Sequence, residues 1–191
     1  NGVLTENTEF LCPGTFALGN SLFHCWKKGG HGTLSLKRAI PESCDVFFYH
    51  TADLLGIDKI AAMANRMGLG VKLDIDIPGE KTGVIPTRAW KMATTGVPWQ
   101  RGETISCGSG QSFVSVTPLQ LATYTARLVT GRQVVPRLLR KQGVMTPASA
   151  LPTGVDPDFA LVGVQNAHLE LIREGMFAVV NTQHGTSYAA R

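Results

Sequence analysis

The stretch from Cys12 to Asp45, CPGTFALGNSLFHCWKKGGHGTLSLKRAIPESCD, decides how this chain folds. It contains three of the four cysteines, Cys12, Cys25 and Cys44, together with His31, which lies between two glycines. Three thiolates and one neutral imidazole make a complete tetrahedral ligand set for zinc, and a closed set of four ligands marks a structural site. Twelve, five and twelve residues separate the ligands. Because this is not the Cys-x-x-Cys spacing of zinc fingers, the pattern alone is only moderately specific.

Size and composition indicate a globular protein. The 191 residues fit one domain, or a large piece of one, and can bury a core. With 43% hydrophobic and 17% charged residues the chain is neither disordered nor fibrous, and its net charge of +4 is too dispersed to favour a nucleic-acid partner. No apolar run reaches the length of a membrane span, and the first residues lack the pattern of a signal peptide. We therefore expect a soluble chain without a targeting segment.

The four cysteines allow two interpretations. In an oxidising compartment they can form two disulfides, with three possible pairings, whereas in a reducing one they would be metal ligands or buried thiols. Cys107 lies far along the chain from the other three and is most simply a buried thiol. This leaves three cysteines and His31 as one group. His24 is a competing ligand, but its position next to Cys25 makes a shared tetrahedral site awkward.

Residues 1–33 are predicted to contain no helix. Residues 1–11 alternate loosely and suggest a strand, while residues 12–33 are rich in Gly, Pro and Asn and are predicted to be a loop. Such a loop needs something other than a hydrophobic core to fix it. A structural zinc ion contributes roughly 10 to 16 kcal/mol in small peptides, which is large beside the stability of a whole domain.

Hydrophobic periodicity and capping residues predict five helices. They cover residues 34–40 with an interruption near Pro41, Ser43-Cys44-Asp45 to about Gly56, Asp58 to Gly68, Thr117-Pro118 to Gly131, and 167–180. The apolar stripe of the last helix is predicted to be core; it consists of Leu169, Ile172, Met176 and Val180.

Two segments between these helices are predicted to lack helix. Prolines and glycines punctuate residues 70–103, which are predicted to be irregular with Trp90 and Trp99 as packing anchors. A strand is predicted around Val134 and Val135. A loop follows it, with prolines at Pro147, Pro152 and Pro157.

A series of short motifs spans nearly the whole chain. It comprises Gly29-Gly30-His31-Gly32, Ser43-Cys44-Asp45, Gly79-Glu80-Lys81-Thr82-Gly83, Pro86-Thr87-Arg88, Gly108-Ser109-Gly110-Gln111, Thr117-Pro118-Leu119-Gln120-Leu121-Ala122, Glu174-Gly175-Met176 and Gly185-Thr186. In this order the motifs resemble the transpeptidase domain of class B penicillin-binding proteins, specifically the penicillin-binding protein 2 type of the elongation machinery. The resemblance implies an α+β, predominantly helical fold. This would be the helical portion of the penicillin-binding serine transpeptidase fold, with much of the central sheet missing.

The resemblance also implies a domain organisation. Residues 1–191 would form one partial transpeptidase domain, with the zinc loop and second catalytic motif in 12–45, a helical region in 46–131, and a loop, a strand and a long helix in 132–191.

Enzymes of this family crosslink the peptide stems of peptidoglycan and are acylated by β-lactams. A serine of an SxxK motif attacks a D-Ala-D-Ala carbonyl to form an acyl-enzyme, an SxN motif supports proton transfer and holds the substrate, and a KTG or KSG motif lines the far wall. Ser43-Cys44-Asp45 matches the second motif, with Asp45 in place of Asn. By resemblance Ser43 would carry the proton-relay hydroxyl, and Asp45 would accept a hydrogen bond from the substrate amide or the catalytic lysine. Without the resemblance, both residues would be interpreted as helix caps.

The resemblance also implies a structural zinc site beside the active site. Relatives of this type carry zinc ligands at positions that match Cys12, Cys25, His31 and Cys44, and the first two can be aspartates. Cysteines make the set softer and favour zinc over harder ions. Because Cys44 lies between the two residues of the catalytic motif, the ion would position that motif rather than act as a Lewis acid.

Two of the three catalytic motifs are not found. No SxxK sequence occurs in the chain, and by the order of the family the nucleophile is expected before residue 1 and the third motif after Arg191. Lys81-Thr82-Gly83 spells the third motif, but it follows Ser43 too soon and lies between two prolines, so we interpret it as a loop and a coincidence. We expect the middle of a transpeptidase domain that binds zinc but by itself neither acylates nor crosslinks. Such a fragment would expose a face that normally packs on the missing strands of the sheet, and this face would support dimerisation.

By resemblance, the parent protein would act on peptidoglycan peptide stems and bind β-lactams. It would work at the periplasmic face of the bacterial inner membrane with a membrane glycosyltransferase and other elongation-complex proteins. Two alternatives stay open. One is a hydrolase that uses Ser109, although the glycine spacing of a nucleophile elbow is lacking. The other is a non-catalytic interaction module stapled by zinc or by disulfides.

Overall fold

Four short strands occupy the cysteine-rich segment, so the loop predicted for residues 12–33 is wrong. The computed structural model describes residues 3–75, 78–138 and 159–190. β1 (Glu9–Cys12) pairs antiparallel with β4 (Gly32–Ser35), and β2 (Thr15–Leu18) pairs antiparallel with β3 (Ser21–His24). The strand predicted within residues 1–11 is present only from Glu9 onward.

A tight hairpin explains why the loop prediction failed. Gly19-Asn20 is a common two-residue connection between antiparallel strands, and Gly19 has the positive φ of +55° that such a turn requires. Phe16 and Phe23 lie opposite each other across the hairpin, with ring centroids 6.4 Å apart. The turn residues of this segment therefore separate short strands that pack aromatic side chains.

Helices make up most of the rest of the described chain. They are α1 (Leu36–Ala39), α2 (Asp45–Leu55), α3 (Ile57–Arg66), α4 (Arg88–Thr95), α5 (Arg101–Gly108), α6 (Pro118–Thr130), α7 (Asn166–Asn181) and a 3₁₀-helix (Tyr188–Ala190). The predictions of α2, α3, α6 and α7 are confirmed to within about two residues. The predicted first helix begins late, because Leu34 and Ser35 belong to β4. The prediction of a predominantly helical α+β fold is confirmed.

Helix α4 and the start of α5 lie in the segment predicted to be irregular, and that prediction is wrong. Thr87 caps α4, because its Oγ1 accepts a hydrogen bond of 3.0 Å from the Trp90 N–H, and Gly96 ends the helix in the left-handed conformation. Gln100 and Glu103 form a capping box at the start of α5. Neither cap entered the prediction, which was based on the prolines and glycines of the segment.

The chain contains two compact units. The first comprises Asn1–Ala61, Pro86–Val114 and Leu171–Arg191, and the second comprises Ala62–Ile85 and Ser115–Glu170. The hydrophobic core of the first unit consists of Cys12, Phe16, Cys25, Leu34, Ala39, Cys44, Val46, Phe47, Tyr49 and Ile105. The cysteine-rich segment is therefore part of a hydrophobic core, contrary to the prediction.

The aromatic anchors predicted in the first unit are confirmed. The rings of Trp90 and Trp99 lie 5.5 and 6.2 Å from the ring of Phe113. Beside them Lys91, which is only 5% exposed, donates hydrogen bonds from Nζ to Glu103 at 2.5 Å and to the Pro98 carbonyl at 3.0 Å. This cluster fixes α4 against α5.

In the second unit Gln120, the buried third residue of α6, organises the loops. Its Nε2 donates hydrogen bonds of 2.7 and 2.8 Å to the carbonyl oxygens of Val71 and Thr82. Among the described residues the strand predicted around Val134 and Val135 is not formed, and the pairing recorded in this region is a single bridge between Arg132 and Leu161. The loop predicted around Pro147, Pro152 and Pro157 lies outside the described residues.

The apolar stripe of α7 is core at one end only. Leu169 is 1% exposed, Ile172 and Met176 are half-buried, and Val180 is 36% exposed. Gly175 is buried, and a Cβ there would lie 2.9 Å from the side chain of Ile40. The prediction is therefore correct for Leu169 and wrong for Val180. None of the helices in the described ranges has the length and apolar composition that a membrane crossing requires.

Candidate metal centre and catalytic motif

The four residues predicted as metal ligands come together in the first unit. Cys12 ends β1, Cys25 follows β3, His31 precedes β4 and Cys44 precedes α2. All four residues are buried, and their ligand atoms lie within 4.8 Å of one another. The structure thus assembles a compact site from residues that are separated by up to 32 positions (Cys12 to Cys44).

Two of the six distances between these ligand atoms match those expected around a zinc ion. Zinc bonds of about 2.3 Å to sulfur and about 2.0–2.1 Å to nitrogen, set at tetrahedral angles, place the sulfur and nitrogen atoms roughly 3.5–3.6 Å apart. The Sγ atoms of Cys12 and Cys25 each lie 3.5 Å from Nδ1 of His31. Two edges of the four-atom set therefore have the length that a zinc-centred tetrahedron requires.

Backbone contacts hold the two hairpin ends together around this set. The Cys25 N–H donates to the Gly14 carbonyl at 2.9 Å, and the His31 N–H donates to the Cys12 carbonyl at 3.0 Å. Gly30 has a φ of +73°, and a Cβ at this position would overlap the Cys12 carbonyl oxygen. A glycine is therefore required at residue 30, where the strand carrying His31 passes the end of β1.

The start of α2 supplies hydrogen-bond donors to the sulfurs. Burial raises the pKa of both Cys25 and Cys44, and hydrogen bonds from backbone N–H groups oppose this shift. These N–H groups include those of Asp45 and Val46, which face Cys25, and that of Phe47, which faces Cys44. They belong to the first turn of the helix and have no partner within it. Because burial still raises the pKa, thiolates here need a cation as well.

The surroundings of His31 favour the form of the imidazole that binds metal. Burial lowers its pKa, and the positive charge of Lys27 lowers it further. A lowered pKa favours the neutral ring, which is the form that coordinates zinc. The donor set, its spacing and its electrostatics all fit a bound zinc ion.

The structure gives the other sulfur and imidazole groups no part in this cluster. All four cysteines are free thiols, so the disulfide alternative gains no support. Cys107 is buried as predicted, at 5% exposure. The His24 side chain is exposed at the end of β3.

Ser43 and Asp45 lie on either side of Cys44, and neither caps α2. The N-cap residue of the helix is Cys44. Ser43 is exposed and has a positive φ of +49°, and its Oγ lies 3.1 Å from Oγ1 of Thr186. Asp45 is half-buried, and its Oδ2 accepts a hydrogen bond of 2.9 Å from the Trp26 N–H. The helix-cap interpretation of the two residues is therefore wrong.

An open cleft of about 390 Å³ lies in front of this motif. Its lining residues are Ile40, Ser43, Asp45, Phe48, Gly108 and Ser109. Ser109 is the C-cap residue of α5, and its Oγ donates to the Ser106 carbonyl at 2.9 Å. Among the described residues, the lining of the cleft contains no histidine, and its one ionisable side chain is that of Asp45.

The sequence analysis assigned no role to two residues of this site. Trp26 and Thr186 hold Asp45 and Ser43 through direct hydrogen bonds. Thr186 belongs to the Gly185-Thr186 motif, but the motif does not indicate this contact. Lys81-Thr82-Gly83 is a loop as predicted, in which the Thr82 hydroxyl donates to the Gly83 carbonyl at 3.1 Å.

Comparison with protein families gives one match over the full chain. The family described as penicillin binding protein transpeptidase domain matches residues 1–191. Peptidoglycan D,D-transpeptidase MrdA from Salmonella typhimurium is 35% identical over 98% of this chain. The same enzyme from Haemophilus influenzae is 38% identical over 98% of it. The chain spans about 30% of the length of these relatives.

Solved structures show the same similarity. The complex between penicillin-binding protein 2 and MreC from Helicobacter pylori has a TM-score of 0.84 and 31% identity over 98% of this chain and 33% of that one. Pseudomonas aeruginosa penicillin-binding protein 2 in complex with WCK 5153 has a TM-score of 0.83 and 35% identity, over 98% of this chain and 41% of that one. A peptidoglycan synthase complex that coordinates polymerization and crosslinking has a TM-score of 0.78 and 30% identity, over 95% of this chain and 30% of that one. This chain therefore belongs to the penicillin-binding protein transpeptidase family, where its similarity is to the penicillin-binding protein 2 members.

Proposed function

We propose that these residues are the part of a peptidoglycan D,D-transpeptidase that carries its second catalytic motif and a structural zinc site. The placement of three consecutive residues carries the proposal. Ser43 and Asp45 line one cleft, while Cys44 between them belongs to the buried ligand cluster. An ion bound in that cluster would fix the backbone of the motif without reaching the substrate.

In the proposed reaction, Ser43 has a proton-transfer role. An attacking serine gives its proton to the catalytic lysine, and its oxygen forms a bond to the carbonyl carbon of the penultimate D-Ala. The peptide bond to the terminal D-Ala breaks, and the departing amine takes up a proton. The Ser43 hydroxyl, exposed in the cleft, would donate its proton to that amine and accept one from the catalytic lysine. This lysine and the attacking serine would belong to an SxxK motif, which the chain does not contain.

Asp45 would hold the substrate. Because the Trp26 N–H binds Oδ2, we assign Oδ1 as the acceptor for the substrate amide or the catalytic lysine. The hydrogen bond from Trp26 links this carboxylate directly to the segment that carries Cys25. Loss of the metal would therefore displace Asp45 as well as Ser43.

The zinc ion would be held by the sulfurs of Cys12, Cys25 and Cys44 and by Nδ1 of His31. When bound, it compensates the charge of the buried thiolates and cross-links the strands to α2. Ser43 depends on that support, because a positive φ costs a residue other than glycine about 1–2 kcal/mol and persists only when its surroundings impose it.

The relatives support a proposal for the substrates and partners of the full protein. We propose peptidoglycan peptide stems as substrates and β-lactams as acylating inhibitors of the full protein. One similar structure is a complex with MreC and another is a synthase complex that coordinates polymerization and crosslinking. We propose equivalent partners, including a polymerising glycosyltransferase, at the periplasmic face of the inner membrane.

Covalent labelling with a fluorescent penicillin tests this function. The full-length protein that contains these residues should be labelled, and Ser43→Ala should slow labelling by about 100-fold or more, the usual contribution of general acid–base catalysis. Ser21→Ala, an exposed serine of the β2–β3 hairpin, is the matched control and should label at the normal rate. The isolated 191-residue chain should not be labelled, because it has no SxxK serine.

A full-length protein that binds zinc but is never labelled would contradict the enzymatic proposal. It would favour the alternative of a zinc-stapled interaction module.

A further inference from the structure

The side chains of Ser43 and Thr186 meet although 143 positions separate them in sequence. Their hydroxyl oxygens lie 3.1 Å apart, and both residues are exposed. Within the described part of the chain, this is the one side-chain hydrogen bond recorded for Ser43. The contact is therefore available to orient the hydroxyl of the second catalytic motif before any substrate binds.

The backbone around Thr186 is held firmly against the segment before α2. The Thr186 N–H donates to the Pro41 carbonyl at 3.1 Å, and the Ser187 N–H donates to the Val179 carbonyl at 3.1 Å. Gly185 packs so closely on α7 that a Cβ would overlap the carbonyl oxygens of Ala178 and Val179. The Thr186 hydroxyl is thus presented from a fixed backbone rather than from a free loop.

A hydroxyl has one proton to donate and two lone pairs that accept. A relay role requires Ser43 to donate its proton into the cleft and to accept a proton through one lone pair. The second lone pair then remains for a neighbour. A neighbour that donates to it prevents the Ser43 O–H from turning away from the cleft, because the two oxygens cannot both donate along one line.

We propose that Thr186 is a positioning residue for the transpeptidase reaction: its hydroxyl donates to Ser43 Oγ and aims the Ser43 proton into the cleft. The inference rests on the proposed function. The inference goes beyond the proposed function because it assigns a role to a residue outside the three catalytic motifs. Thr186 touches neither substrate nor attacking serine in this role and acts only through Ser43.

The test uses the full-length protein and fluorescent penicillin, with the maximal acylation rate and the half-saturating concentration measured separately. Thr186→Val keeps the shape of the side chain and removes the hydroxyl. It should lower the maximal rate about 10-fold with little change in the half-saturating concentration, whereas Thr186→Ser should stay within about twofold of the unmodified protein.

Thr182→Val is the matched control. Thr182 lies on the same segment and is exposed, but its hydroxyl donates only to the Ala178 carbonyl at 2.8 Å. This variant should acylate normally. Melting temperatures of both valine variants should stay within about 2 °C of the unmodified protein, since exposed substitutions have small effects on stability. A slow Thr186→Val protein with a normal melting temperature thus separates positioning from folding.

A double variant completes the test. In a Ser43→Ala background, Thr186→Val should cause no further loss, because its effect passes through the Ser43 hydroxyl. Three results would overturn the inference: normal acylation by Thr186→Val, a Thr186→Ser protein as slow as Thr186→Val, or an additional loss in the double variant. If the unmodified protein is not labelled at all, the proposed function itself fails and the role of Thr186 fails with it.

Discussion

Substituting the glycines beside His31 gives a graded test of the backbone that builds the metal centre. Gly29 has open space where a Cβ would be added. Gly32 also has open space but a φ of +71°. Gly30 has a φ of +73°, and a Cβ would overlap the Cys12 carbonyl oxygen and lie 2.6 Å from the Pro13 carbonyl carbon. Alanine therefore adds neither strain nor overlap at Gly29, backbone strain at Gly32, and both strain and overlap at Gly30.

The structure sets the expected loss in the free energy of unfolding for each variant. Gly29→Ala should change it by no more than about 0.5 kcal/mol, as for other exposed substitutions. Gly32→Ala should cost about 1–2 kcal/mol, the price of a left-handed conformation for a residue with a Cβ. Gly30→Ala should cost about 2–4 kcal/mol, because the same strain is joined by loss of the hydrogen bond from the His31 N–H to the Cys12 carbonyl, worth about 0.5–1.5 kcal/mol, and by the overlap itself.

Urea unfolding of the purified 191-residue chain, followed by circular dichroism, measures these differences at constant zinc concentration. Zinc content of each variant after gel filtration gives a second readout, and only Gly30→Ala should retain less metal. Equal stability and equal zinc content for Gly29→Ala and Gly30→Ala would refute the arrangement of β1 and β4 around the ligands.

Three further predictions concern the first unit. The pKa of Asp53 is lowered mainly by its hydrogen bond with Arg101. This pair therefore contributes stability above about pH 4, and the contribution is lost as pH falls through the lowered pKa. In an acid titration, the free energy of unfolding of Asp53→Asn should fall less than that of the unmodified protein. Burial lowers the pKa of His50, so the folded state loses stability as pH falls below about 6.5, and His50→Gln should flatten that part of the pH profile of melting temperature. Lys91→Met should lower the free energy of unfolding by about 2–4 kcal/mol in urea titrations, because it leaves the largely buried carboxylate of Glu103 without its cation; an unchanged midpoint would contradict the ion pair.

The sequence was sufficient to predict the elements with strong local signals. Thr117, Pro118 and Gly131 mark both ends of α6, and the structure contains the capping box that Thr117 forms with Gln120. The four candidate ligands could be grouped because their side-chain chemistry, rather than their spacing, selects zinc. Their close approach in space then followed from the strand pairing, which the sequence analysis had not predicted.

The sequence was insufficient where tertiary packing decides the outcome. β2 and β3 contain only four residues each, so their alternation is too short to stand out among turn residues. The contact of Ser43 with Thr186 has no sequence signal, since it depends on how the end of α7 packs near Pro41. Val180 looked like core from helical periodicity but is exposed, because periodicity identifies the apolar face of a helix and not how much of its length is covered.

The most direct test of the metal centre is zinc K-edge X-ray absorption on the purified chain. It should contain one zinc ion per chain, with three sulfur ligands at about 2.3 Å and one nitrogen ligand at about 2.0–2.1 Å. Cys44→Ser should lose one sulfur ligand or the whole ion, whereas Cys107→Ser should leave the spectrum unchanged. A chain that folds without zinc, or a spectrum made up of oxygen and nitrogen ligands alone, would contradict the proposal that this ion holds Ser43 and Asp45 in place.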